Sequence, residues 1–333
     1  MSRVRDADPN RPLVVVLGAS GLIGSAVTSV LAGRRADVRA VARRVPAAAS
    51  GGPGVRNWAA DLTLPGAVGR AVAGADAVVH LVLDRGGWRG SGAVVRHLDV
   101  EVARALVAAL RGCSDGGAPP VVVFAGSTTQ PGSTLAPGSQ GPPGPVSDYD
   151  RQKEEAEAVL RAATAEGVLR AVALRLPTVF GPAPAGGRGI VSTMARRALA
   201  GEPLTMWHDG TVRRDLLYVD DVAEAVRLAL DHADALSGRS WCLGGDRPAR
   251  LVDLLGAIAA LVSELTGEDP VPVVRVPAPE HAVAADFADM VVDSSAFRSA
   301  TGWRPRVPLD RALRRTIATI AEREFPPVAG PAE

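Results

Sequence analysis

Short, wholly apolar runs alternate with longer stretches of helical periodicity through the first half of the chain. Leu13-Val14-Val15-Val16-Leu17 has no polar position, as a strand buried on both faces requires. Runs that are mostly apolar, broken by Arg39, Arg56, Asn57, His80, Arg170 and Arg175, lie at 38–42, 55–60, 77–82 and 120–124, and residues 169–176 add a sixth. Between them, 22–31 and 94–110 have the period of amphipathic helices. The Glu- and Ala-rich stretch after Tyr149 reads as another helix, running to Leu160. Strands alternating with helices predict an α/β fold built on a doubly wound parallel sheet, with a smaller C-terminal substrate-binding region. The boundary is expected near residue 176: 1–176 bind cofactor, and 177–333 mainly hold substrate. Part of the segment after Ser240 should return to the sheet.

Composition narrows the classes of function. A chain of 333 residues can bury a large core. A net charge of +1 gives no pull toward nucleic acid or a membrane surface. No apolar run is long enough to span a bilayer, and the N-terminus lacks the apolar core of a signal peptide. Cys113 and Cys242 are far apart and lack metal spacing, so they read as small buried residues in a reducing cytoplasm. No metal site is expected.

The candidate chemistry begins where the first strand ends. Gly18-Ala19-Ser20-Gly21-Leu22-Ile23-Gly24 is a glycine-rich turn between strand and helix. Such a turn lets backbone N–H groups approach a pyrophosphate at the helix N-terminus; a tight structural turn would look the same. The second strand ends in Arg43-Arg44 rather than a carboxylate, which favours a 2′-phosphate and hence NADPH. Solvated surface arginines remain the other reading. His80 has no metal partner at useful spacing and reads as packing. Ser127, Thr128 and Thr129 follow the fifth strand, beside a Gly- and Pro-rich loop over 131–147. Lys153 is the sole lysine and stands four residues after Tyr149, one of two tyrosines. On a helix the two share a face. A neighbouring ammonium lowers a phenol's pKa from about 10 and suits it to proton transfer. Spacing alone also fits a surface pair.

These motifs together resemble the extended short-chain dehydrogenase/reductase superfamily, over nearly the whole chain. The resemblance implies that Ser127 hydrogen-bonds the substrate oxygen, Tyr149 exchanges a proton, and Lys153 holds the nicotinamide ribose and lowers the Tyr149 pKa. It places Asp61 at the adenine. It implies cofactor contacts from Gly18, Ser20, Gly21, Leu22, Ile23, Gly24, Arg43, Arg44, Asp61, Leu62, Leu81, Lys153 and Pro177. Where members often carry Asn early in the helix before the fifth strand, this chain has Asp99, which bears on a structural hydrogen bond. Arg175-Leu-Pro-Thr178-Val-Phe-Gly-Pro182 resembles a substrate motif in which Thr178 replaces the usual Asn. Arg214-Asp215-Leu-Leu-Tyr218-Val-Asp-Asp-Val222 resembles the segment whose arginine binds the substrate's pyrophosphate. A surface ion pair with Asp215 is the alternative for Arg214, and Tyr218 reads as packing. Residues 297–308 resemble the C-terminal substrate region of these enzymes.

Within that group, Thr128 and Thr129 stand where 4,6-dehydratases carry an Asp-Glu pair, and hydroxyls cannot supply that acid and base. The expectation is therefore NADPH-dependent reduction of the C4 ketone of an NDP-4-keto-6-deoxyhexose, with Thr128, Thr178 and Arg214 on the nucleotide sugar. A cytoplasmic homodimer through helices 94–110 and the Tyr149 helix is expected. An NAD-dependent nucleotide-sugar 4-epimerase, or a non-enzymatic NADP-binding sensor, remains open.

Overall fold

The computed structural model describes residues 11–44, 54–83, 98–111, 117–130, 132–133, 135–136, 147–183, 186–280, 282 and 284–326. The loop expected at 84–92, most of that at 131–147, Cys113 and the first turn of the 94–110 helix lie outside them.

The first half alternates as its apolar pattern predicts, with α2 as an added helix: β1 (Leu13–Leu17), α1 (Leu22–Ala32), β2 (Asp37–Ala42), β3 (Val55–Ala59), α2 (Ala67–Val72), β4 (Ala77–His80), α3 (Leu98–Leu110), β5 (Val121–Ser127), α4 (Asp148–Ala165) and β6 (Arg170–Leu176). The second half is more broken. It runs β7 (Thr178–Phe180), α5 (Ile190–Leu199), β8 (Leu204–Met206), β9 (Arg213–Arg214), β10 (Leu216–Tyr218), α6 (Val219–Asp231), α7 (Ala233–Leu236) and β11 (Arg239–Cys242). It closes with β12 (Ala249–Arg250), α8 (Leu251–Thr266), β13 (Val273–Arg275), α9 (Ser295–Thr301) and α10 (Leu309–Glu324).

Seven strands form one parallel sheet in the order β11-β6-β5-β4-β1-β2-β3. Strand order reverses between β1 and β4, so the crevice at their carboxyl ends is where a ligand of such a sheet binds. Alternate residues of each strand feed opposite cores. Val14, Val16 and Val79 meet α1 and α6 on one face, while Val15, Leu17 and Val78 meet α2, α3 and α4 on the other. A third apolar cluster, from α5, α8 and α10, supports the short strands of the C-terminal region.

Phe297 and Trp303 sit beneath the sheet. Both are almost fully buried with Trp241 and Leu236, and the Trp303 indole donates to the Asp221 carbonyl at 3.0 Å. The 297–308 stretch, likened above to a substrate region, thus places these two aromatics in the sheet core. Large apolar rings at the chain's end serve here to cover α6 and β11.

Candidate active site

The glycine turn is shaped by two close approaches. Gly18 has φ 89°, and a Cβ there would stand 2.8 Å from the Leu81 carbonyl oxygen. A Cβ on Gly24 would stand 2.1 Å from the Gly18 carbonyl oxygen, so α1 packs against the turn only because residue 24 is glycine. Gly21 caps α1 without a side chain, and no acidic residue stands in its first turn. The first-turn N–H groups and the helix dipole together suit a dinucleotide's pyrophosphate. Leu22 and Ile23 are partly buried against the apolar clusters rather than aimed outward. Ser20 lies in the turn itself. Arg43 and Arg44 are exposed directly after β2. Asp61 follows the adjacent β3, and its Oδ1 accepts from the Thr63 N–H at 3.0 Å and hydroxyl at 2.7 Å. Leu62 packs at the edge of the α2–α3 core. The expected cofactor residues therefore line one edge of the sheet, with Leu81 at the end of β4 and Pro177 between β6 and β7.

Tyr149 lies in the first turn of α4, which is fixed by a reciprocal cap. The Ser147 hydroxyl accepts from the Asp150 N–H, while the Asp150 carboxylate accepts from the Ser147 N–H and hydroxyl. The same carboxylate accepts from the Thr129 hydroxyl. Thr129 Oγ1 lies 2.6 Å from Ser127 Oγ. Because Thr129 donates to Asp150, the Ser127 hydroxyl donates to Thr129. Thr129 thus belongs to the Ser127 cluster. Thr128 is buried, and its N–H donates to the Leu176 carbonyl at 3.1 Å.

Lys153, one turn further on, is almost fully buried. Its Nζ donates to Asp99 Oδ1 at 2.8 Å and to the Ala125 carbonyl at 2.9 Å. It lies 4.9 Å from the Phe124 ring centroid and 5.7 Å from that of Tyr149. Burial alone would lower its pKa, but the Asp99 carboxylate more than offsets this and the pKa is raised. Asp99 makes an ion pair where only a structural hydrogen bond was in question.

The Lys153 charge lowers the Tyr149 pKa, as the resemblance implies, but other influences on the pKa are larger in sum. The Tyr149 pKa is raised: burial, the largest influence, with the charges of Asp99 and Asp150 outweighs Lys153. His80, expected to be packing, is buried edge-on against Phe124. Its Nδ1 accepts from the Val82 N–H at 3.3 Å, which leaves Nε2 to donate to the Asp99 carbonyl at 3.3 Å. Burial lowers its pKa to about 4, so it is neutral at physiological pH.

Below this layer α4 is tied to the sheet. Arg175 grips Glu157 through Nε at 3.1 Å and Nη2 at 2.8 Å, and Ser240 adds a hydroxyl at 2.9 Å. Gln130 Oε1 accepts from the Ser127 N–H at 2.5 Å. Glycine is required at 126, where a Cβ would stand 2.6 Å from Glu157 Oε1.

The opposite wall comes from the C-terminal region. The Arg214 guanidinium donates to the carbonyls of Asp286, at 2.6 Å, and Ala288. Its partner is not Asp215, which is buried and accepts from the N–H groups of Gly245 at 2.5 Å and Val292 at 3.1 Å. His208 stacks edge-on with Phe287 at 5.9 Å, and burial together with Arg214 lowers its pKa. Thr178 begins β7, paired in register with Leu216 of β10. Tyr218 is buried against Phe180, in agreement with a packing role.

Sequence reasoning named neither Asp150, Gln130, His208 nor Phe287. Asp150 carried a signal, since Ser147-x-x-Asp150 has capping-box spacing. The others act through contacts that no local pattern encodes. Among the described residues no cluster of side chains could hold a metal, and no helix is long and apolar enough to cross a membrane.

The geometry agrees with comparison to known proteins. A dTDP-glucose 4,6-dehydratase of Neisseria gonorrhoeae is 27% identical over 184 residues, 53% of this chain and 51% of that protein. The chain thus spans about half the length of the dehydratases it matches. A dTDP-6-deoxy-L-talose 4-dehydrogenase (NAD(P)(+)) of Kitasatospora kifunensis is 29% identical over 322 residues, covering 90% of this chain and 93% of that one. Among solved structures, the UDP-glucose 4-epimerase of Thermus thermophilus, in complex with NAD, is 26% identical with a TM-score of 0.74, covering 93% of this chain and 99% of that one. Residues 14–244 match the NAD dependent epimerase/dehydratase family, and the chain belongs to it.

Proposed function

We propose that the protein reduces the C4 ketone of an NDP-4-keto-6-deoxyhexose, dTDP-linked, with NADPH, in a deoxysugar pathway of natural-product glycosylation. The observation that carries this reading is Tyr149 beside Lys153 on α4, with hydroxyls instead of carboxylates at positions 128 and 129 and Thr129 bound to Ser127. A site so furnished can give a proton to a carbonyl oxygen but lacks the acid and base of a dehydration. The full-length similarity to a 4-dehydrogenase supports the same reaction class.

Bound nicotinamide supplies the hydride. Tyr149 transfers its phenolic proton to the oxygen as negative charge develops there: the phenol O–H breaks and the alcohol O–H forms. Ser127 holds that oxygen by turning its one hydroxyl proton from Thr129 to it, while the Thr129 N–H still donates to Ser127 Oγ. Lys153 uses two of its three N–H bonds on Asp99 and Ala125. The third serves a ribose hydroxyl. Arg43 and Arg44 receive the 2′-phosphate, and Asp61 the adenine. Arg214 holds the diphosphate, so that binding far from C4 positions the sugar. Thr128 and Thr178 complete the expected sugar site. A homodimer through α3 and α4 belongs to the same proposal, with light scattering as its test.

The assay is NADPH oxidation with dTDP-4-keto-6-deoxyglucose, with NADH in parallel. Consumption of NADPH with formation of a reduced sugar supports the reading. The Thermus epimerase, a relative over nearly its whole length, favours a second reading as a 4-epimerase. That reading requires NAD retained on the purified protein and turnover without added reductant.

A further inference from the structure

Ser127 stands where the sheet serves it on one side only. The ladder between β4 and β5 ends at the pair His80 and Phe124, so β4 stops short of Ser127. On the other side of β5 the pairing with β6 continues, and the Thr128 N–H donates to the Leu176 carbonyl at 3.1 Å. Successive N–H groups of a strand point to opposite sides, so the Ser127 N–H faces the side that β4 has left. A buried N–H without an acceptor is costly.

The acceptor comes from a side chain. Gln130 Oε1 accepts from the Ser127 N–H at 2.5 Å, while the Gln130 N–H donates to the Ser127 carbonyl at 3.2 Å. Gln130 thus closes the 127–130 turn on both backbone groups of Ser127. Its side-chain oxygen lies over Gly126, where a Cβ would stand 2.7 Å from it. The turn is also tied to the helix that carries Tyr149. The Gln130 carbonyl accepts from the Ser133 hydroxyl at 2.9 Å, Ser133 accepts from Arg175 at 3.2 Å, and Arg175 pairs with Glu157 of α4 at 2.8 Å.

Gln130 is 2% exposed, and its Nε2 makes no hydrogen bond among the described residues. A buried donor without a partner is destabilising. Packing alone therefore does not account for a glutamine here, whereas capture of the Ser127 N–H does.

We propose that Gln130 is a positioning residue: by holding the backbone of Ser127 it fixes the direction from which the Ser127 hydroxyl meets the reacting oxygen. The inference rests on the reading of Ser127 as the group that holds that oxygen. Thr129 binds the hydroxyl itself, whereas Gln130 sets the main chain from which the hydroxyl projects. Small misplacements of such a group are expensive in rate.

The test variant is Gln130→Met, which keeps the length of the side chain and removes the acceptor. One measurement needs no substrate. With nitrogen-15-labelled serine, the Ser127 amide proton is identified by its loss from Ser127→Ala. It should resonate far downfield in the wild type and move upfield in Gln130→Met. The other measurement is NADPH oxidation with dTDP-4-keto-6-deoxyglucose. Gln130→Met should lower kcat about five- to tenfold, the scale of one hydrogen bond, with KM changed by less than about twofold. In the Ser127→Ala background the same substitution should change kcat by less than about twofold, because the group it positions is gone. A merely structural role would lower the rate alike in both backgrounds. Equal losses in the two backgrounds, an unchanged kcat or an unmoved Ser127 resonance would each overturn the proposal. If the wild type does not turn over that sugar, the proposed reaction fails, and the amide resonance alone decides the inference. Should Gln130→Met fail to fold, hydrogen exchange in the wild type decides it. Slow exchange of the Ser127 N–H supports the bond, and exchange as fast as an exposed amide overturns it.

Discussion

Lys153 and Arg214 are the two cations on which the proposed reaction turns, and the two halves of the molecule house them differently. Lys153 sits between a long helix and the central sheet, its charge matched by Asp99 at 2.8 Å. Arg214 sits on the two-residue β9, where it donates to the backbone carbonyls of Asp286 and Ala288. Their pKa values move in opposite directions. Burial is the largest influence on both, but Asp99 reverses it at Lys153, whereas Asp286 and Asp289 do not reverse it at Arg214. A cation neutralised by a carboxylate is spent inside the protein. Arg214 is braced by backbone carbonyls, with the charges of Asp286 and Asp289 acting on it from nearby. The first arrangement suits fixing an ammonium beside the phenol, and the second suits catching a diphosphate.

The largest effect should come from the phenol itself. Tyr149→Phe should lower turnover by about 10² to 10⁴-fold, the range for loss of one general acid. Steady-state rates beside an unchanged circular dichroism spectrum would check it, and near-wild-type turnover would end the assignment. Next comes the pair beneath it. Lys153→Met leaves a carboxylate buried without its cation and should cost about 3–5 kcal/mol of stability in denaturant unfolding. Arg214→Met, measured the same way, should cost about 1 kcal/mol or less, because water can reach the carbonyls it leaves. Equal losses at the two sites would erase the distinction drawn between them.

The core side of the comparison also predicts a pH dependence. The folded-state pKa of His80 is about 4. In the unfolded chain it is about 6.5. Between these values the unfolded state binds the extra proton, so stability falls as pH falls from 6.5 toward 4, by up to about 3 kcal/mol. Protonation of Nδ1 would also cost the Val82 hydrogen bond. Thermal unfolding across that window should show the slope, and His80→Asn should flatten it. An unaltered slope would assign the acid sensitivity to other groups.

Legibility in the sequence followed the same divide. The sheet was readable because a parallel strand buried on both faces must be continuously apolar: β1 is so throughout, and β4 and β5 are until their carboxyl ends. The Tyr149–Lys153 spacing was readable because the helix period fixes it. The charge balance was not, since Asp99 lies 54 residues from Lys153 and meets it only through the packing of α3 on α4. Composition offered Thr128 and Thr129 as equivalents. The turn after β5 separates them, sending Thr128 inward and Thr129 to Ser127 and Asp150. In the C-terminal region the strands are two or three residues long, too short for periodicity to register. That wall is assembled by backbone contacts between distant loops, such as Asp215 N–H to the Met290 carbonyl at 2.9 Å.

The smallest effect should be the most specific. Arg214→Lys preserves the charge and removes the planar fork that spans the Asp286 and Ala288 carbonyls. If Arg214 acts on a diphosphate through its geometry as well as its charge, affinity for a nucleoside diphosphate should fall about tenfold or more, the scale of one charge-assisted hydrogen bond. Calorimetric titration with dTDP would measure this, and a titration of the Tyr149 phenolate by its near-ultraviolet absorbance should not move in the same variant. Unchanged affinity would reduce Arg214 to a brace for the 284–289 segment. A shift in the Tyr149 titration would mean that the two cations share one electrostatic field, and the separation of roles between the two halves would fail.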